Sequence, residues 1–564
     1  MPFKHEIAAM AANALGVTPQ EILPLIGKPP KEELGDYALP CFPFAKTMRR
    51  SPRDIALMIC QADKPAGIER VAEAGGYANF YVDKKAYAEK VLSEALAMGR
   101  DYGREDLGQG KAVCIDYSSI NIAKPFHIGH LSSTAIGHAL YNLYNFMGYK
   151  SVGINHLGDW GTQFGKLITA YKLWSSEEEV LKGGIAHMLD LYVRFHAEAE
   201  KDPALDDTAR AWFVKIEQGD EEALSIFTLF KDMTIREVMG IYDLLGIRFD
   251  SYNGESFYND KMAPVVEELR EKGLLKEDKG AYIVDLSEDN MPPCMILKSD
   301  GSTLYATRDI AAAFYRKKTY DFAKSLYVVA YQQNLHFRQW FRVVEKMGYP
   351  WAKDLEHVAF GMVSLADGGT LSTRKGNVVL LTDVLQSAID RARVIIEEKS
   401  PGLADKDKVA EQVGVGAVVF GVLYNARIKD IAFSYDRALS FEGETAPYMQ
   451  YTHARCNSVL QKAGENAAQF DYAALDNEYA MGVLKAMVAY KAALPEALSK
   501  NEPYLVARAV METAKAYNRF YYEVRIIDEA DASGTAARLA LTRAARDTIS
   551  RGLDLLGIAA PERM

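Results

Sequence analysis

The chain has 564 residues, more than one ordinary domain holds, so about two to four domains are expected. Hydrophobic residues make up 49% and charged residues 25%, a globular mix with apolar material for several cores, and no apolar run reaches the roughly eighteen residues of a membrane span. The net charge of −10 counts weakly against a polyanionic partner without excluding one, because a basic stripe on an acidic protein still holds nucleic acid.

Residues 1 to 108 read as a small α+β domain. It opens with an amphipathic helix in MPFKHEIAAMAANALGVTPQ, which lacks the long apolar core of a signal peptide. Strand-like GGYANFYVD follows, then helix-like YAEKVLSEALAMG, and the glycines 103, 108 and 110 mark a linker. From 109 the pattern changes. KAVCIDYS is a short buried-strand pattern, a loop with Pro125 follows, a helix runs from about Ile128 to Met147, and SVGINH is a second strand. Strand, helix, strand is the unit of a parallel sheet. Residues 178 to 245 read as a helical insertion. SLYVVAYQQ is a further strand ending at Gln333, LEHVAFGMVSL is strand-like, and LLTDVLQSAIDRARVIIEEK is a helix with Thr382 as N-cap. From 440 to 564 apolar residues recur at three- and four-residue spacing with almost no strand signal, the mark of an all-α bundle. The expected fold class is therefore α/β, with a parallel-sheet domain at 109–439 between the two smaller ones. The five cysteines are scattered, odd in number and without a Cys-x-x-Cys pair, so neither a disulfide framework nor a zinc knuckle is signalled, and a reducing cytoplasm fits.

His127, Ile128, Gly129 and His130 fall between the first strand and its helix, where open α/β sheets bind ligands. Gly129 allows close approach of a nucleotide ring, and two imidazoles one turn apart can donate to phosphate oxygens whose charge rises in a transition state. Lys124 adds a positive charge on the same loop. Helix capping or packing is the competing reading. A zinc site is disfavoured because no third ligand is suitably spaced, so no protein-held metal is expected. A second element, DGGTLSTRKGN at 367–377, combines glycines with Ser372, Thr373, Arg374 and Lys375, cations that suit a pyrophosphate leaving group. On its own it would read as a surface hairpin. A third cluster holds Glu255, Tyr305, Asp309 and Gln333, with Asp309 expected in the first turn of a helix starting near Thr307. Carboxylates and a phenol oxygen suit a guanidinium, which has five donors and no acceptor.

The order VCIDYSSINIAKPFHIGH, NHLGDWGTQFGKL, GES, LYATRDIAAA, LSTRKGNVV and FEGETAPYMQYTHAR resembles arginyl-tRNA synthetase, a class I aminoacyl-tRNA synthetase, and the likeness runs from GDYALP to the terminal LLGIAAPERM. The resemblance implies a Rossmann-type catalytic domain. It implies that His127 and His130 hold ATP, with Gly129, Ser372, Thr373, Arg374 and Lys375 also at the nucleotide. The arginine pocket would comprise Asn121, His156, Gln163, Glu255, Tyr305, Asp309 and Gln333. The family's usual K-M-S-K-S is here T-L-S-T-R followed by Lys375, and Lys124 would share its phosphate work. Two further departures are Ser119-Ile120-Asn121, where S-P-N is usual, and Ser132, where Arg is usual. The N-terminal domain would read the tRNA D-arm through Asn79 and Phe80. The C-terminal bundle would bind the anticodon near Tyr448, Gln450, Tyr451 and Arg455, since aromatic and Arg side chains suit unstacked bases. The implied partners are tRNA(Arg), L-arginine and ATP, with Mg2+ carried on the ATP phosphates, in a cytoplasmic monomer without membrane contact. Arginine would be activated as the adenylate, then moved to the terminal ribose of tRNA. A small-molecule nucleotidylyltransferase, which also uses H-x-G-H, lacks the long helical C-terminal domain. A catalytically dead relative would not need both histidines and the acidic pocket.

Overall fold

The computed structural model describes residues 2–299, 301–366, 379–464 and 469–564. Residues 367–378, and with them Ser372, Thr373, Arg374 and Lys375, lie outside the described residues.

A parallel four-stranded sheet carries the centre of the chain. Its spatial order is Leu355–His357, Lys324–Tyr327, Ala112–Asp116, Lys150–Ile154. Val113, Cys114 and Ile115 are fully buried, the continuous apolar run that a strand covered on both faces requires. From Ala112–Asp116 the chain crosses through helix Leu131–Phe146 to the strand on one side. After the insertions it returns to the strand on the other side. The order reverses there, so a crevice opens beyond Asp116 and Tyr327, at the switch point where α/β sheets bind ligands. Helix Leu131–Phe146 packs so closely on the sheet that a Cβ at position 137 would collide with the Tyr117 ring; only glycine fits.

The N-terminal unit has a three-stranded antiparallel sheet with Tyr77–Val82 at its centre, between Tyr37–Pro40 and Ile68–Ala74. Gly75 and Gly76, both at positive φ, make its hairpin turn. Helices Glu177–Ala199, Ala204–Gln218 and Glu221–Leu244 form the insertion. Helices Ala446–Ala463, Glu478–Lys500, Tyr504–Glu523 and Ala532–Leu555 form the C-terminal bundle.

Several local expectations are corrected. The third strand ends at Tyr327, and Gln333 closes a one-turn 3-10 segment, Tyr331–Gln333, because the chain leaves the sheet at Val328 to bridge Ala330 with Phe360. LEHVAFGMVSL splits into two strands, Leu355–His357 and Val363–Leu365, the second paired with Ile431–Phe433 rather than with the main sheet. The helix Leu381–Lys399 is capped by Leu380, without a side-chain bond, and Thr382 lies inside it. Helix Tyr305–Tyr320 starts two residues earlier than expected, so Asp309 falls in its second turn. An antiparallel sheet of Leu275–Asp278, Ala281–Val284 and Cys294–Leu297 stands between the insertion and that helix, and the sequence reading did not find it.

Candidate active site

The loop after the first strand is built from residues in an unusual backbone state. Ser118, Ser119 and Ala123 have φ of 67°, 41° and 58°, a region non-glycine residues rarely occupy. Side chains hold them there. The Ser133 hydroxyl accepts the Ser118 N–H at 2.9 Å and donates to the Val328 carbonyl at 2.7 Å, clipping together the ends of both strands at the switch point. Ser119 Oγ donates to Asp116 Oδ1 at 2.6 Å. Ser132 and Ile120, the two departures from the family pattern, are buried; Ser132 at 1% exposure packs inward and cannot face a phosphate.

His127 caps the turn Ile128–His130, which runs into helix Leu131–Phe146. Its Nδ1 accepts the Gly129 N–H at 3.0 Å, and His130 Nδ1 accepts the His127 N–H at 3.2 Å. The ring centroids lie 4.0 Å apart. Burial lowers the His127 pKa, with help from Lys124, and pushes His130 down to about 3, with His127 and Lys124 adding to it. Both rings are therefore neutral at physiological pH. His127 Nδ1 accepts an N–H and carries no proton, so the His127 proton sits on Nε2; His130 Nδ1 also lies 3.3 Å from the His127 carbonyl, so its contacts suit either tautomer. The capping bonds thus present a neutral Nε2–H donor on His127 beside the neutral His130 ring at the end of the sheet.

The carboxylates lie alongside. The segment after the second strand passes Asn121, whose backbone bridges Gly158; a Cβ at Gly158 would collide with the Asn121 side chain. Asp159, wholly buried, accepts the Ser256 N–H and hydroxyl at 2.8 Å each and pairs with Lys231 of the insertion at 2.7 Å. That fastening fixes the turn that starts at Glu255. Burial raises the Glu255 carboxyl to about 7; Arg308 and Lys124 oppose this, while Asp309 and Asp159 add to it. Arg308 Nη1 lies 3.2 Å from Glu255 Oε2. Asp309 Oδ2 meets His336 Nε2 at 2.6 Å. His156 stacks on Tyr258 with centroids 5.5 Å apart, and its Nδ1 lies 3.3 Å from Arg316, which is itself paired with Asp116 at 2.8 Å beneath the crevice. Burial holds the His156 pKa low. Gln163 donates to the Trp160 carbonyl at 3.1 Å; together with Tyr305 and Arg308 these residues line a cleft of about 590 Å³. Tyr305 stands at the mouth, 68% exposed, and Gln333 is exposed on its turn. A roomier cleft, about 750 Å³, lies between helix Lys406–Leu423 and the C-terminal bundle, lined by Tyr424, Arg437 and Arg508. It contains neither signature histidine nor any of these pocket residues, so size does not mark the chemistry here. Among the described residues no three His, Cys, Asp or Glu side chains are grouped to hold a metal ion.

Sequence reasoning passed over Asp159, Lys231, Arg308, Arg316 and His336. Arg308 carried a signal, one residue from Asp309 and one turn from Tyr305. Lys231 carried none, sitting 72 residues from its partner in the insertion.

The expected RNA contacts divide. Asn79 and Phe80, at 3% and 0% exposure, are built into the central strand of the N-terminal sheet and cannot touch RNA as folded. Gln450 is also fully buried; its Nε2 bonds the carbonyls of Gln412 at 2.9 Å and Ala559 at 2.8 Å, locking helices together. What the N-terminal unit exposes instead is an edge-on pair, Phe42 and Tyr77, with centroids 5.4 Å apart. In the bundle, Tyr448 is half-buried and Tyr451 exposed. The Arg455 guanidinium sits 4.9, 4.8 and 5.0 Å from the rings of Tyr451, Tyr521 and Tyr522, all three exposed.

A parallel sheet with a capped imidazole pair at its switch point is the plan of a nucleotide-using α/β enzyme. Comparison with known proteins narrows it. Residues 91–435 match the family described as tRNA synthetases class I (R), catalytic domain; residues 2–82 match the arginyl tRNA synthetase N terminal domain and residues 449–564 the DALR anticodon binding domain. An arginine–tRNA ligase of Alkaliphilus metalliredigens is 52% identical over 565 residues, covering 100% of both chains, and one of Clostridioides difficile is 53% identical over 547 residues, covering 97% of this chain and 96% of the relative. The solved arginyl-tRNA synthetase of Thermus thermophilus superposes with a TM-score of 0.80 at 27% identity over 99% of both chains. That of Plasmodium falciparum shares the fold, with a TM-score of 0.81 at 21% identity over 100% of this chain and 99% of that one. The chain belongs to the arginyl-tRNA synthetase family of class I.

Proposed function

We propose that this protein joins L-arginine to tRNA(Arg) at the expense of ATP. The observation that carries the reading is the placement of Glu255 and Asp309 within one electrostatic neighbourhood that also holds Lys124, beside the neutral His127–His130 pair. An oxygen of the arginine carboxylate attacks the α-phosphorus, the bond to the β,γ-pyrophosphate breaks, and arginyl-adenylate results. A hydroxyl of the terminal ribose of tRNA then attacks the arginyl carbonyl, and AMP leaves. The protein does no covalent work, so positioning and charge stabilisation dominate. The two neutral rings stabilise phosphate charge without repelling Lys124, which a protonated pair would do. Magnesium enters as part of the substrate, on the ATP phosphates. Ser372, Thr373, Arg374 and Lys375 supply the second, cationic flank of the nucleotide, and Lys124 shares it.

Asn121, His156, Gln163, Glu255, Tyr305, Asp309 and Gln333 surround the amino acid. Buried carboxylates left badly paired reject lysine and neutral amino acids by about 10⁴ or more, so no editing site is needed. The chain divides at 1–108, 109–439 and 440–564 into D-arm, catalytic and anticodon-binding parts. On the first, Phe42 and Tyr77 replace Asn79 and Phe80 as the RNA-facing residues; on the last, Tyr451 and Arg455 act with Tyr521 and Tyr522. The enzyme works as a cytoplasmic monomer; among the described residues no helix is long and apolar enough to cross a membrane. The test is aminoacylation of total tRNA with each standard amino acid in turn. Charging with arginine alone is expected; charging with another amino acid, or with none, overturns the reading.

A further inference from the structure

Between Tyr305 and Asp309, both assigned above to the amino acid, the same helix carries Arg308. It points at the same place. Arg308 Nη1 lies 3.2 Å from Glu255 Oε2, and the two side chains are only 11% and 17% exposed. The contact takes just one of the two carboxylate oxygens, and Arg308 Nε is buried without a protein hydrogen bond. A guanidinium of the protein thus pairs with the carboxylate assigned to a guanidinium of the substrate.

We propose that Arg308 is a positioning residue for amino-acid selection: it anchors Glu255 by one oxygen, so that the anionic carboxylate offers the other to the incoming guanidinium. The inference rests on the reading of Glu255 as an arginine-binding group. The surroundings of Glu255 explain the need. Burial disfavours its charge, and Asp309 from the same helix as Arg308 and Asp159 from the segment after the second strand disfavour it further. Against them stand Arg308 and, from the loop before His127, Lys124. Remove Arg308 and, of these two cations, Lys124 alone remains beside the buried carboxyl, against Asp309 and Asp159, the second of which already pairs with Lys231 at 2.7 Å. Such a carboxyl takes up a proton. A protonated carboxyl has a donor where the substrate guanidinium, which has no acceptor, needs an anion.

The experiment is steady-state arginylation of tRNA by the full chain, with arginine varied from about pH 6 to about pH 9, for the wild type, Arg308→Gln, Arg308→Lys and Glu255→Gln. Arg308→Gln is expected to raise the arginine KM about fivefold at pH 7 and to move the acid limb of kcat/KM for arginine up by about one pH unit, since a one-unit rise in a carboxyl already near 7 cuts its ionised fraction at pH 7 from about a half to about a tenth. The ATP KM stays within about twofold, below that fivefold effect. Arg308→Lys keeps the charge and returns the limb toward its wild-type position. An unmoved limb in Arg308→Gln overturns the proposal. So does a lower arginine KM, which would make Arg308 a competitor for the site, or an equal rise for arginine and ATP. Glu255→Gln separates the two levels: an unchanged arginine KM sinks the assignment of Glu255 itself, whereas a raised one beside an unmoved Arg308→Gln limb sinks only the role of Arg308.

Discussion

At the scale of single residues, the site depends on protonation states that burial sets. His127 uses Nδ1 on the Gly129 N–H, which leaves Nε2–H as its donor, and His130 sits beside it as a second neutral ring. His127→Ala removes that donor. The loss of one preorganised donor costs about 10²–10³ in rate. Arginine-dependent pyrophosphate exchange, measured with tRNA present, should fall by that factor; near-normal exchange would remove His127 from the catalytic machinery. The pair was legible in the sequence because H-x-G-H is a local pattern after a strand. The link from Asp309 to His336 was not, because 27 residues and a strand separate the partners. His138 shows burial acting on stability instead. It lies on helix Leu131–Phe146, its Nε2 is 3.2 Å from Asn142 Nδ2, its Nδ1 makes no protein hydrogen bond, and burial pushes its pKa from 6.5 down to about 4. Above pH 6.5 the ring is neutral folded and unfolded, and stability is at its full value. As pH falls from 6.5 toward 4 the unfolded chain binds a proton the folded ring refuses, so stability drops by up to about 1.4 kcal/mol per pH unit. Urea midpoints of His138→Leu should fall less steeply over this window than those of the wild type, with arginylation at neutral pH unchanged; parallel slopes would show that other groups govern the acid limb.

At the scale of elements, the alternation of strand and helix was readable because a buried strand is apolar throughout and a helix repeats every three to four residues. The joins between elements were not. Gln333 read as a strand end because YVVAYQQ is apolar and β-branched to Ala330, yet the hydrogen-bond partners that end the strand at Tyr327 come from other segments. The same blindness hid the fastening of the Glu255 turn. Asp159 lies in a motif that was recognised, but what it holds is Ser256, and what neutralises it is Lys231 on the helical insertion. The helical insertion therefore braces the Glu255 turn. Lys231→Met leaves a fully buried carboxylate without its cation. Removing one partner of a buried pair costs about 3–5 kcal/mol, and the low end applies here because Ser256 still bonds Asp159. The variant should melt earlier and show a raised arginine KM with little change for ATP. Equal effects on both substrates would mean that Lys231 supports the whole domain rather than the Glu255 turn.

At the scale of the whole molecule, the three parts were visible as changes of pattern, but their mutual dependence was not. Helix Lys84–Met98 of the N-terminal unit pairs with the far end of the chain through Lys84–Asp476 at 2.8 Å, Lys85–Asp471 at 3.0 Å and Glu94–Lys491 at 2.5 Å. Gln450 ties the bundle to helix Lys406–Leu423. Cutting the chain near residue 440 would expose buried surface on both flanking parts, so loss of tRNA binding after truncation would say nothing about which residues touch RNA. Point variants on the surface answer that question. Tyr522 is 71% exposed, too much for a packing role, and the Arg455 guanidinium lies 5.0 Å from its ring. Three exposed phenol rings around one guanidinium offer flat faces and a positive charge to unstacked bases. Base–aromatic stacking is worth about 1–3 kcal/mol per base, or roughly five- to 150-fold in affinity. Tyr522→Ala and Tyr451→Ala should each raise the tRNA KM within that range and leave the arginine and ATP KM values and the melting temperature as they are. A tRNA KM that stays at the wild-type value in both variants would move the anticodon contact off this face of the bundle, and no change in stability could then be offered as the reason.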